Sequence, residues 1–280
     1  MTTDFQTGRL ALGARLRELR VEAGLNGKEL AARLGWQASK VSRLENGKQT
    51  ASPSDLEAWA EVTCRSDASA DLHARLYALD LQQRSWRRQL ATGHRAVQDK
   101  LVVEYQNAST VRAYEATVVP GLFQTPDYAR HLLLLNAELH GTTPDTDDAV
   151  RARMRRQEVL YEAGKMFRVL LWEGALHALI CPREVLAAQL DRLVGLIGLD
   201  RVALGIVPFG AAMKITPKHG FWIFDDARVS VETISAEARL DAPEDVDLYM
   251  KAWERLDASA VYGAKAHRLI ARARASLGLS

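Results

Sequence analysis

The stretch LNGKELAARLGWQASKVSRLEN, residues 25–46, constrains this chain more than any other. Asn26 and Glu29 stand as the N-cap and N3 residues of a capping box, which satisfies the free backbone N–H groups that open a helix. Leu30, Ala31 and Leu34 recur at helical spacing and give that helix an inward face. Gly35 is placed to take the left-handed conformation that stops it. After a short turn, Ala38, Val41 and Leu44 fall on one face of a second helix, and Ser39, Ser42, Arg43 and Asn46 fall on the opposite one. Two short helices joined by a tight turn form the unit that lays its second helix in the DNA major groove. The outer face carries hydrogen-bonding groups of a size to reach base edges. Double-stranded DNA is therefore the expected partner.

The flanks extend the pattern. Leu12, Leu16, Leu19 and Ala23 make an apolar stripe for a preceding helix, which Gly24 ends. Ser52-Pro53-Ser54-Asp55 is a capped helix start with proline in its first turn, and Leu56, Trp59 and Ala60 give that helix a core face. The Glu-Leu-Ala at 29–31, Gly35, the Val-Ser-Arg-Leu-Glu-Asn-Gly-Lys run at 41–48 and the Pro53 helix together resemble the Xre family of phage-repressor-type helix-turn-helix regulators, over about residues 10–63. The resemblance implies base reading by Gln37, Ala38, Ser39 and Arg43, with Ser42 on the same face. Lys28, Lys40, Asn46 and Lys48 would then position the DNA backbone. It also implies an ion pair between Arg20 and Glu45, which sit at the ends of apolar stripes facing one core. The family often has a glutamine at the start of its second helix, where this chain has Gly27, so phosphate anchoring is expected to fall to Lys28 or Lys40. One recognition helix is too small a contact to be both tight and selective, so a homodimer is expected on DNA.

A chain of 280 residues has room for two domains. Its net charge of only +2 requires that DNA binding come from a local patch. Cys64 and Cys181 are the only cysteines and lie far apart, so neither a disulfide framework nor a cysteine metal site is expected. Residues 1–10 lack an apolar signal-peptide core, and the leucine run at 132–135 is far short of a membrane span of roughly 20 residues. The expected setting is a reducing cytoplasm, where the protein associates with the nucleoid through DNA.

The expected architecture is mainly α with an α+β second domain. A helix-turn-helix domain occupies 1–66, a connecting helix 67–95, and an α+β regulatory or partner-binding domain 96–280. Between 67 and 92, Leu72, Leu76, Leu79, Gln83, Trp86 and Leu90 follow steps of four and three, which fits a helix packed on one domain or a dimer helix. Further on, helices are expected over 99–115, from Pro126 to about 139, and from about 147 to 163, with a polar turn at 141–148. Residues 166–176 begin as a buried strand, 201–209 form another, and 182–195 between them is an amphipathic helix. Residues 220–226 and 228–234 pair as a hairpin turning at Asp225-Asp226-Ala227, and Pro243 opens a last helix to about 276. The sheet is expected to be small and mostly antiparallel.

Tyr114-Glu115, the segment VVPGLFQTPDYAR at 118–130, the Arg-Met-Arg-Arg-Gln run at 153–157 and Trp-Glu-Gly-Ala-Leu at 172–176 resemble the C-terminal domain of actinobacterial Xre regulators of the WhiJ type. That resemblance implies a developmental or antibiotic-related regulator, encoded beside a small partner protein, with antitoxin-like relatives. Two function classes follow: a regulator whose second domain receives a protein or ligand, and an antitoxin-like protein that neutralises a neighbour and autoregulates its operon.

No catalytic motif is present, and neither an enzyme nor a cofactor or metal is expected. The seven histidines are scattered, and Glu173, His177 and Cys181 at four-residue spacing lack further converging ligands. The arginines Arg151, Arg153, Arg155 and Arg156 have three readings: a solvated helix face, a grip on a partner's carboxylates, or added phosphate contacts. With Phe123 and Gln124 of the adjacent loop they are the candidate partner surface. That loop suits either burial between helices or the rim of a pocket.

Overall fold

The computed structural model describes residues 4–83, 85–142, 145–216 and 218–279. They form two compact units, Met1–Ser85 and Trp86–Ser280. Among the described residues no helix is long and apolar enough to cross a membrane.

The first unit is a bundle of five helices, α1 (Asp4–Glu22), α2 (Gly27–Leu34), α3 (Ala38–Glu45), α4 (Pro53–Val62) and α5 (Ser69–Gln83). Asn26 and Glu29 close a full capping box on α2, and Gly35 at φ +67° lets the chain leave that helix and turn directly into α3. Ser52 and Asp55 form a second capping box on α4. The helices share a core of Leu12, Leu16, Leu30, Val41, Leu44 and Leu56 around the fully buried Trp59. The Trp59 indole donates its N–H to the Leu16 carbonyl at 3.0 Å, so this large side chain is buried without an orphaned donor.

Three details differ from the sequence expectation. Ala23 lies beyond the end of α1 and is exposed, so the stripe stops at Leu19. Ala38 is exposed at the first turn of α3, while Val41 and Leu44 are buried. The helix expected over 67–92 is broken: a 3-10 turn at Ser66–Ala68 precedes α5, and α6 (Trp86–Gln89) with a 3-10 turn at Leu90–Thr92 opens the second unit. Leu72, Leu76 and Leu79 belong to the core of the first unit, which α5 thereby completes. The side chain of Gln83, and Thr143 and Pro144 of the polar turn, lie outside the described residues.

The second unit is α+β. Its helices are α7 (His94–Asn107), α8 (Pro126–His140), α9 (Thr146–Arg156), α10 (Arg183–Leu196), α11 (Pro243–Asp257) and α12 (Gly263–Ala275). Its strands are β1 (Thr110–Glu115), β2 (Met166–Trp172), β3 (Val202–Val207), β4 (Phe221–Phe224), β5 (Arg228–Glu232) and β6 (Glu237–Leu240), in the order β3-β2-β1-β4-β5-β6. Strands β1, β2 and β3 pair parallel, whereas β1–β4, β4–β5 and β5–β6 pair antiparallel. Three of the five pairings are antiparallel, as expected, but the sheet has six described strands where four were expected from the sequence.

Alternation along the strands divides the interior. Val111, Phe167, Val169, Leu171 and Leu204 share one core with α10 and α12, and Tyr114, Leu170, Ile223 and Val229 share the other with Trp253 of α11. The hairpin turns at Asp225 and Asp226 with φ of 50° and 53°, the double left-handed pair that matches strand twist. Asp225 also accepts from the N–H groups of Ser109 (2.9 Å) and Thr110 (2.8 Å), tying the turn to the start of β1.

Three expected helices of this unit are wrong in extent. The 147–163 segment leaves the α-helix at Arg156 and continues as a 3-10 turn over Gln157–Tyr161. The 99–115 segment is α7 followed by the central strand β1, whose Arg112 and Glu115 disguise it as an amphipathic helix end. The single helix expected after Pro243 is two, because residues 258–262 leave the helical path and Val261 exchanges two backbone hydrogen bonds with Ile206 of β3 at 2.8 and 2.9 Å.

Candidate nucleic-acid interface

Helix α3 turns Val41 and Leu44 into the bundle and leaves Gln37, Ala38, Ser39, Ser42, Arg43, Asn46 and Lys48 exposed on the other side. These groups are held by one another. Ser39 Oγ reaches Gln37 Oε1 at 3.4 Å, Asn46 Nδ2 donates to the Ser42 carbonyl at 2.7 Å, and Arg43 Nε donates to Gln49 Oε1 at 3.0 Å. Each is a neutral or singly charged exposed contact that can be exchanged for a base edge at small cost. Gln49, which orients Arg43, was not evident from the sequence. Helix α3 lacks the side-chain cap that α2 and α4 both have, so its first N–H groups are unclaimed by a neighbouring side chain.

Lys40 is placed differently from the other basic residues. Its Nζ lies 2.6 Å from Asp55 Oδ1 and 3.7 Å from the centre of the Trp36 ring. Burial raises the Asp55 pKa, but the Lys40 ammonium and the Ser52 N–H and hydroxyl together hold it below its usual value. Lys40 is therefore part of the fold, fastening α3 to the capping box of α4. Lys28 and Lys48 are the exposed lysines of the candidate set. The spacing of Trp36 and Lys40, four apart across a helix start, was the available signal for this stacking.

Arg20 and Glu45 meet as a two-pronged pair. Arg20 Nε donates to Glu45 Oε1 at 2.5 Å and Nη2 donates to Oε2 at 3.0 Å, while Nη1 donates to the Leu25 carbonyl at 2.7 Å. The hydrogen bonds to Glu45 raise the Arg20 pKa further, against a smaller opposing effect of burial. One guanidinium thus joins the end of α1, the turn before α2 and the end of α3. Gly13 sets the distance between those helices: a Cβ there would lie 2.5 Å from the Leu44 carbonyl oxygen and 2.6 Å from that of Glu45.

The arginine-rich segment of the second unit is not one surface. Arg151 and Arg155 are exposed, with Arg151 paired to Asp148, but Arg153 and Arg156 are 7% and 5% exposed. Phe123 and Gln124 are fully buried, so the loop at 118–130 is an interior element and the expected partner surface does not form. The reason is a network: Arg153 Nη1 donates to Gln124 Oε1 at 2.5 Å and Nε to Gln98 Oε1 at 3.2 Å, and Gln157 Nε2 donates to the Gly121 and Gln124 carbonyls. Gln189 completes it, accepting from Thr125 N–H and donating to the Phe123 carbonyl. Burial, and then the neighbouring Arg156, depress the Arg153 pKa to about 9.

Glu173, His177 and Cys181 do not converge on a ligand site. Glu173 Oε2 accepts from the Phe209 N–H at 2.7 Å, His177 stacks on the Phe209 ring, and Cys181 is packed in the core. Asp226 pairs with Arg112.

A five-helix bundle that offers the polar face of a short, firmly held third helix is a DNA-binding helix-turn-helix domain, here followed by an α+β domain. Residues 97–272 match the family described as Domain of unknown function (DUF5753), and the chain belongs to that family. Residues 11–72 match the family described as Helix-turn-helix domain. No curated protein matches the chain. Among solved structures, the chain has a weak likeness to TrmBL2, an archaeal chromatin protein described as showing a novel mode of DNA binding. The identity is 13% over 85% of this chain and 88% of that one, with a TM-score of 0.30.

Proposed function

We propose that this protein is a sequence-specific transcriptional regulator, a repressor of the Xre and WhiJ kind, that reads the major groove as a homodimer. The observation that carries the reading is the outer face of α3, where Gln37, Ser39, Ser42 and Arg43 stand exposed on a helix whose opposite face is locked into the core. Arg43 is the residue assigned to guanine, since a guanidinium can grip O6 and N7 with two bonds and contribute ~1–3 kcal/mol of discrimination. Lys28, Asn46 and Lys48 are assigned to phosphates, which position the protein without specifying sequence. Two copies on a near-palindrome would present two such helices one DNA turn apart.

The second unit is assigned the receiving role: whatever it binds changes DNA affinity by favouring one arrangement of the dimer over another, a coupling of ~1–3 kcal/mol in typical cases. The burial of Arg153, Arg156, Phe123 and Gln124 favours a ligand inside this unit over a protein held on that face. The test is a genome-wide binding map of the tagged protein, followed by titration of the recovered site with the parent and Arg43→Ala proteins. A shared near-palindromic site, bound by two copies and lost selectively in Arg43→Ala, is the expected result. Binding that is indifferent to sequence, or one copy per site in sedimentation, would overturn the reading.

A further inference from the structure

The second unit encloses a cavity of about 350 Å³, at the lower end of small-molecule sites. Its wall holds two arginines, Arg153 and Arg156, neither within ion-pair distance of a carboxylate among the described residues. Arg153 is satisfied by the neutral amides of Gln98 and Gln124. Arg156 is left with two unpartnered buried nitrogens. It is 95% buried, since its exposure is 5%, and neither Nε nor Nη1 has a hydrogen-bond partner among the described residues. Its guanidinium lies over the Tyr105 ring, 5.4 Å from the centroid. Three carboxylates also line the cavity, Glu104, Glu115 and Glu232. Glu104 is already taken by Arg228 at 2.7 Å and Arg239 at 3.2 Å, and desolvation holds Glu115 and Glu232 above the ordinary carboxylate pKa, toward their neutral forms. An uncompensated buried cation is strongly unfavourable, and a cavity lined by two of them favours an anion.

The rest of the wall defines the body that carries the anion. Tyr105, Trp222 and Phe224 offer ring surface, and Leu101 adds aliphatic surface. Leu139 and Ile234 also line the cavity and are 65% and 78% exposed, which marks the mouth. Trp86, also in the wall, is fixed to the β5–β6 loop by its indole N–H to the Thr233 carbonyl at 2.7 Å and by its backbone N–H to the Ser235 carbonyl at 2.9 Å.

We propose that this cavity binds a small organic acid, its carboxylate or phosphate held by Arg156 and Arg153 and its apolar body packed against Tyr105, Trp222 and Phe224. The proposal rests on the receiving role given to the second unit, and it names that unit's ligand class. Organic acids of this kind fit both the charge and the size of the site, whereas a peptide or a polyanion would not enter.

The test uses the full chain, with benzoate, indoleacetate, hexanoate, phenyl phosphate and inorganic phosphate as probes and benzamide as the uncharged control. Trp86 and Trp222 line the site, so tryptophan emission reads occupancy directly, alongside the melting temperature. The expected result is saturable binding of at least one organic acid, no binding of benzamide, and at least a tenfold loss of affinity in Arg156→Met. Because that variant removes an unpaired buried charge, its melting temperature should equal or exceed the parent's while binding is lost. Leu101→Phe is the second variant: it fills the cavity, keeps both arginines, and should also abolish binding. Carboxylates against phenyl phosphate identify the anionic group. Inorganic phosphate binding as tightly as every organic acid would refute the apolar half of the proposal. No saturable binding by any acid at millimolar concentration, or unchanged affinity in both variants, would overturn it entirely. Occupancy is measured without DNA, so an acid that binds yet leaves operator affinity unchanged would refute only the receiving role.

Discussion

Glu45→Ala tests whether the recognition helix is held by a buried ion pair or only by its apolar face. The Arg20 and Glu45 side chains are 11% and 6% exposed, so the pair is largely out of water. Removing Glu45 deletes both hydrogen bonds at 2.5 and 3.0 Å and leaves Arg20 with the Leu25 carbonyl as its remaining acceptor. Breaking one partner of a buried pair costs ~3–5 kcal/mol, against a whole-domain stability of about 5–15 kcal/mol. The low end alone corresponds to a fall of roughly 12–24 °C in the melting temperature of a domain this size. The measurement is thermal and urea unfolding of the full chain, with hydrogen exchange in the peptides of α1 to α3 to separate the first unit from the second. Replacing both residues by leucine should recover much of the loss, since an apolar pair removes the stranded charge. A loss below about 1 kcal/mol, the value of an exposed pair, or simple additivity of the two single changes, would refute the argument.

Gly13→Ala should displace α3 from α1, because its Cβ would press on two backbone carbonyls that cannot rotate away; the expected outcome is lowered stability with weakened DNA binding, and a protein unchanged in both would contradict it. Arg43→Ala should relax base preference, whereas Lys48→Ala should weaken all sites alike and reduce the salt slope by about 0.9; equal loss of specific and non-specific binding in Arg43→Ala would count against the assignment. Asp55 is held below its ordinary pKa in the fold, so its contribution is present above its unfolded value and lost as pH falls through the folded one. Stability of the first unit should therefore drop below about pH 4, and Lys40→Met should lessen that drop. Burial, reinforced by Glu232, holds Glu115 well above the carboxylate range. Its contribution is thus full below the unfolded pKa and lost as pH rises through the folded one, so Glu115→Gln should flatten the decline of second-unit stability with rising pH. An identical pH profile would refute that account.

The first unit was legible because its signals are local. Asn26 with Glu29 and Ser52 with Asp55 announce their own helix starts, Gly35 its stop, and Val41 with Leu44 the inward face of α3. What stayed hidden were partners brought in from elsewhere in the chain: Gln49 for Arg43, Asp55 for Lys40, and the close passage of Gly13 past the end of α3. In the second unit, β2 and β3 were visible as apolar runs, whereas β1 was not. A central strand reads as continuous hydrophobic sequence only when its polar residues are absent, and β1 carries Arg112 and Glu115, each accommodated by something distant in sequence. Arg112 has Asp226 of the hairpin, and Glu115 lies against the cavity. The break at 258–262 escaped notice for the same reason, since the backbone bonds that stabilise it come from Ile206.

The arginine-rich helix shows how such a site can be read after all. Treated as four charges, Arg151, Arg153, Arg155 and Arg156 suggest a solvated face, because arginine is almost never fully buried without a partner. Treated by period, the segment divides. Ala149, Ala152, Arg153 and Arg156 recur at i, i+3, i+4 and i+7, the spacing of one buried stripe, and all four are buried in α9. Arg151 and Arg155, four apart, occupy the wet side. The two small residues let α9 approach its neighbours closely, and that approach carries the two arginines inward with them. A helix built only for packing would place leucine at 153 and 156. Arg153 has its bonds to Gln98 and Gln124 to offset desolvation, but Arg156 on the same stripe keeps two unpartnered buried nitrogens, and it is that group which points from packing to a bound anion.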